Sequence, residues 1–195
     1  MRRNTIGHQG LALLSGISSI RYQLCVAARD VGELVDLAGG WICDRVLAGW
    51  DVSVAVSEPR DLRPLQILGV TLVTQQRFGL TNAGSGAASI AIAPGIFEND
   101  NHIRSEVLEA LDQGAIEVTF WGPSIPSDLD GRLDRRQHRL SGAARAFKAH
   151  ALAAATVRRA NMDATEDLYS SALSYDISVN DDDTHQLAAG QREDH

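Results

Sequence analysis

Between Arg21 and Gly122, short β-branched runs alternate with longer segments whose apolar residues recur every three or four positions. A chain patterned this way has few folding options: the short runs bury as strands and the periodic segments cover them as amphipathic helices. The reading is an α/β domain, small and doubly wound in the Rossmann-like or flavodoxin-like manner. Its mostly parallel sheet has about five strands flanked by helices, followed by a C-terminal helix and a disordered acidic tail. Such sheets collect their chemistry just past the carboxyl ends of the strands, which narrows the search for a site.

Strands are expected at Ile20 to Ala28, Asp51 to Val56, Val70 to Val73, Ile90 to Ala93 and Ala115 to Trp121. Helices are expected from Val31 to Leu47, from Asp61 to Leu68, after Asp100, and from Arg132 to about Ala160. Asp30 stands where an N-cap belongs. Gly39-Gly40 in the middle of the first helix marks a kink or the close approach of another element. Residues 1–18 read as a flexible lead-in, 19–160 as one α/β domain with a basic helix over 132–160, and 161–195 as the tail.

The net charge of −7 is unevenly spread. From Asn161 onward nine acids face one base, Arg192, so the acidity belongs to the end of the chain and the rest is near neutral. Cys25 and Cys43 lie in apolar stretches, which favours buried free thiols, and no Cys/His pattern supports a metal. Met1-Arg2-Arg3 followed by Leu11 to Ile17 has the outline of a signal peptide. However, His8 and Gln9 interrupt it and no A-x-A site follows, so the cytoplasm is expected. There is no run of about 18 apolar residues to span a membrane.

If the strands are parallel, one edge gathers a set of polar groups. Asp30, Glu58, Asp100 and His102 are the acid/base candidates, and Arg29, Ser57, Asn99, Trp121 and Ser124 are candidates for holding a small ligand. The alternative for Asp30 and Asp100 is plain N-capping, and for Glu98 to His102 capping and solvation. Gly84-Ser85-Gly86-Ala87-Ala88-Ser89 imitates a phosphate-cradling loop, but ten residues separate it from Val73 and it runs into a strand, so it reads as a linker. No Walker motif, nucleophile elbow or cofactor motif is present, and the cofactor stays unknown. Arg132, Arg135, Arg136 and Arg139 could contact a polyanion along the basic helix.

The expected function is a ligand- or partner-binding module with a regulatory or scaffold role, its partner a small molecule or a protein and homo-oligomers an open option. One alternative is an enzyme acting on a phosphorylated or nucleotide-like small molecule at the carboxyl edge. The other is a nucleic-acid-associated protein that uses the 132–159 helix.

Overall fold

The computed structural model describes residues 22–74, 88–114, 116–157 and 163–171. The β-branched runs become strands β1 (Gln23–Ala28), β2 (Asp51–Val56), β3 (Thr71–Leu72), β4 (Ala88–Ile92) and β5 (Glu117–Trp121), which pair with one another in parallel. Helices α1 (Val31–Leu47), α2 (Arg63–Ile67), α3 (Pro94–Asn99) and α4 (Asn101–Gln113) lie between them in the chain. After β5 come β6 (Asp134–Arg139), α5 (Gly142–Ala154) and β7 (Thr165–Ser170). The sheet order is β3-β2-β1-β4-β5-β7-β6, with β7 antiparallel to both β5 and β6.

The sheet is therefore mixed and seven-stranded, not a parallel sheet of about five. Two segments account for the difference. Arg132, Arg135, Arg136 and Arg139 fall at helical spacing, yet 134–139 is an extended strand. The helix begins at Gly142, where the Ser141 hydroxyl caps it by accepting from the Ala144 amide at 3.0 Å. Residues 165–170, expected within a disordered tail, form β7 and alternate between buried and half-buried. Partners from distant parts of the chain decide both segments, overriding local propensity. Residues 1–21 and 172–195 lie outside the described residues, as do Gly84 to Ala87 of the glycine-rich segment and Phe78; Ser89 is in β4.

Neighbouring residues on a strand point to opposite faces, and the packing follows that rule. Phe120 meets Phe97 of α3 edge-on at 5.6 Å, whereas Glu166, on the face that Leu168 shares with Trp121, bonds to α1. Helices α3 and α4 thus cover one face, and α1 with α5 the other. Leu24, Val26, Leu34, Ile42, Ile90 and Phe120 are among the fully buried core residues. The Gly39-Gly40 pair has a specific use: a Cβ on Gly40 would stand 2.5 Å from Leu140 Cδ2 and 3.0 Å from Glu166 Oε1. Glycine lets Leu140 and β7 approach the middle of the helix. Among the described residues no helix is long and apolar enough to cross a membrane.

Candidate functional site

The chain winds from β1 outward to β2 and β3, then returns to place β4 on the other side of β1. At such a reversal the connections leave the strand ends in opposite directions, and a crevice opens between them. A cavity of about 120 Å³ lies beside this point, at the ends of β1 and β2 and against α3 and α4. Ala27 and Ala28 from the end of β1, Ala55 from β2, and Ile96 and Ile103 supply its apolar wall. Asp100 and His102, at the start of α4, supply the polar part of the lining.

Asp100 is the N-cap of α4, its Oδ1 accepting from the amides of His102 at 3.0 Å and Ile103 at 3.2 Å. That cap fixes the first turn, so His102 is placed by backbone geometry while its side chain stays 82% exposed. Its Nε2 lies 3.5 Å from Oε1 of Glu106, one turn further along α4. An exposed imidazole beside an apolar recess, with a carboxylate within reach of the ring, is an arrangement able to exchange a proton with a bound molecule.

The remaining expected site residues separate. Asp30 is committed to α1, accepting from the Glu33 amide at 2.9 Å. The tips of β1 and β2 are joined by backbone bonds, Ser57 N–H to the Ala28 carbonyl and Glu58 N–H to the Arg29 carbonyl, each 3.0 Å. Arg29 and Glu58 therefore stand side by side at the edge; Glu58 is 3.8 Å from Arg60. Asn99 turns back to donate to the Gly95 carbonyl at 2.7 Å. Ser124 is exposed beyond β5. Trp121 does not face a ligand: it is 1% exposed, inside the core, and its indole N–H has no hydrogen-bond partner.

Sequence reasoning missed Glu106 and the alanines and isoleucines of the cavity wall. Glu106 had a usable signal in its spacing of four residues from His102 on a helix. The small apolar residues had none, because they read as core. The run from Glu98 to His102 brings Asp100 and His102 to the cavity, and among the described residues no three His, Cys, Asp or Glu side chains are placed to share a metal ion.

Cys43 is a poor nucleophile in this setting. Cys43 is pushed up to about 11, first by burial and then by the negative charges of Asp44 and Glu166. Cys25 is half-buried and receives the Ser53 hydroxyl at 3.6 Å.

The expected polyanion-binding arginines are not on a helix and are largely engaged. Arg132 pairs with Asp112, Arg135 with Asp167 at 3.0 Å, and Arg136 approaches Asp134 at 3.6 Å, while Arg139 is exposed. An arginine ridge lying along phosphates is not what these residues form. Nor do the tryptophans make an open patch. Trp41 is buried, and the Arg45 guanidinium sits over the Trp50 ring at 4.5 Å.

No family model and no curated protein matches the sequence. Solved structures do resemble the fold. A triple mutant of a deacetylase of the teicoplanin biosynthetic pathway superposes with a TM-score of 0.54 at 12% identity, over 76% of this chain and 97% of that one. A deacetylase–teicoplanin complex gives 0.53 at 11%, with the same coverage. An antimicrobial pseudoaglycone deacetylase gives 0.51 at 13%, over 70% and 82%. The proteins that share this fold are deacetylases, which contradicts the expectation of a non-catalytic regulatory or scaffold module; at these identities the likeness itself is one of fold. The missing linear motifs misled because sites of this architecture are assembled from the ends of separate strands, with no one segment carrying a signature.

Proposed function

We infer that this chain is an enzyme that removes an acyl group from a small polar molecule bound at the carboxyl edge of its sheet. The observation that carries the reading is the cavity at the ends of β1 and β2 beside α3 and α4, where Asp100 and His102 meet an apolar recess. The likeness of the fold to deacetylases supports it.

In this reading His102 is the general base. It takes a proton from a water whose oxygen bonds to the acyl carbon. The carbon–nitrogen bond then breaks, and the proton passes to the departing amine, leaving a carboxylate and a free amine. Glu106 orients the imidazole, and Asp100 holds the helix turn that presents it. Arg29 offers a positive charge for the oxyanion or for a phosphate on the substrate, with Glu58 beside it to accept from hydroxyl or amino groups. The small side chains of Ala27, Ala28 and Ala55 leave the recess room for a small acyl group.

The test is release of acetate from a panel of N-acetylated sugars, amines and nucleosides, with and without phosphate. Replacement of the base, His102→Ala, is expected to lower kcat by about 100-fold or more, with the fold intact by circular dichroism. Undiminished turnover in that variant would refute the assignment.

A further inference from the structure

A second concavity opens at the same edge, on the opposite side of β2. Val54, Val56, Pro59, Leu62, Leu72 and Val73 form the aliphatic wall of a groove of about 570 Å³, with Ser57 and Thr74 adding hydroxyl groups. Among the described residues its lining contains no charged side chain. Alternation along β2 relates the two spaces: Ala55 lines the cavity, whereas its neighbours Val54 and Val56 line the groove. They lie on opposite faces of the sheet and share the carboxyl end of one strand.

Size separates their roles. Sites that take a whole organic ligand run from about 300 to 1,000 Å³. The groove falls in that range at about 570 Å³, and the cavity at about 120 Å³ does not. A substrate whose acyl group fills the cavity must have most of its atoms elsewhere. The groove is an apolar concavity at that same strand end. A peptide is a poor occupant, because β3 spans two residues and offers too short an edge for strand addition.

We propose that the groove binds the uncharged apolar body, aliphatic or aromatic, of the substrate whose acyl group enters the cavity. The substrate class is then an acylated molecule with a small polar head and a bulky apolar part, laid across the tip of β2. The proposal rests on the deacylation reading of the cavity, and its test keeps the two apart.

The first arm measures fluorescence of the uncharged dye N-phenyl-1-naphthylamine. Wild-type protein is expected to bind it with a blue shift. Leu72→Glu and Val73→Glu should weaken binding about tenfold or more, by setting a charge in an apolar wall. Phe147→Glu, at an exposed position on α5, should change nothing, and His102→Ala should bind the dye normally. The second arm compares N-acetyl-2-naphthylamine with acetamide. The naphthylamide should show a KM at least about tenfold lower, and Leu72→Glu should raise the KM for the naphthylamide toward that for acetamide.

No dye binding by the wild type overturns the proposal. So does equal binding by the variants, or equal KM for the two amides. No hydrolysis of either amide, with dye binding intact, refutes the deacylation reading and leaves the groove as an apolar site of a different protein function.

Discussion

The Lys148 ammonium donates to Glu166 Oε1 at 2.5 Å, with the two side chains 3% and 2% exposed. The same carboxylate accepts from the Gly40 and Trp41 amides of α1 at 2.9 and 2.7 Å. One side chain of β7 thus ties α5 and the middle of α1 to the sheet. Desolvating both charges is costly, and the extra amide bonds help offset that cost. Removing one partner strands the other. Lys148→Met is expected to destabilise by about 3–5 kcal/mol, whereas Lys148→Met combined with Glu166→Leu should recover part of the loss. Urea unfolding of the three proteins checks this; a single variant as stable as wild type contradicts it.

The two glycines of α1 should respond oppositely. Gly40→Ala drives a Cβ into Leu140 and Glu166 and is expected to cost about 1–3 kcal/mol. Gly39→Ala meets Val35 and Leu68 at 3.4 and 3.5 Å, ordinary contact distances. There the helix preference for alanine should leave stability unchanged or raise it by up to about 1 kcal/mol. Thermal melts of the pair are enough.

Asp100 can be tested as a cap separately from the chemistry. Asp100→Asn keeps an acceptor for the His102 and Ile103 amides and should leave stability within about 0.5 kcal/mol, while Asp100→Ala should lose about 1 kcal/mol. Denaturant midpoints read the difference. If activity falls in the asparagine variant at unchanged stability, the carboxylate charge itself serves the reaction.

Asp167 accepts from Arg135 at 3.0 Å and from Gln137 at 3.2 Å, and its carboxyl is held below the ordinary range, chiefly by the Arg135 hydrogen bond. A depressed folded value means that the pair stabilises the protein above the unfolded aspartate range. The contribution is lost as pH falls through the folded value. Because the pair is largely solvent-exposed, the effect is small, below about 1 kcal/mol. Asp167→Asn should lower stability at pH 7 by that much and flatten the acid limb of the stability curve.

The thiols should differ in reactivity. With Cys43 held near 11, about one molecule in a thousand carries its thiolate at pH 8. Iodoacetamide on the native protein should label Cys25 well ahead of Cys43, as peptide mass spectrometry will show.

Which parts could be read in advance follows from where the deciding contacts lie. Strands β1, β2 and β4 and helix α1 announce themselves because their burial is set by local runs of Val, Ile and Leu and by the Asp30 cap. β6 conceals itself: its arginines repeat at helical spacing, and extended pairing with β7 holds them instead. β7, with the sequence TEDLYS, looks like solvated chain until Lys148 and the α1 amides meet Glu166. The site divides in the same way. Asp100 and His102 carry visible chemistry, but Ala27, Ala55 and Ile103 become a cavity wall through the order of the strands alone. Trp121 misled because an indole at a strand end resembles a ligand platform, and here it is core.

Where β7 sits has a consequence for synthesis. It fills the slot between β5 and β6, though it leaves the ribosome after both. A nascent chain that has emerged only to α5 carries a bare flank on β5 and a β6 with nowhere to dock. Until residues 165–170 arrive, that flank is open to any extended polypeptide nearby. The interval between the emergence of α5 and that of residues 165–170 is when this protein would most need a chaperone.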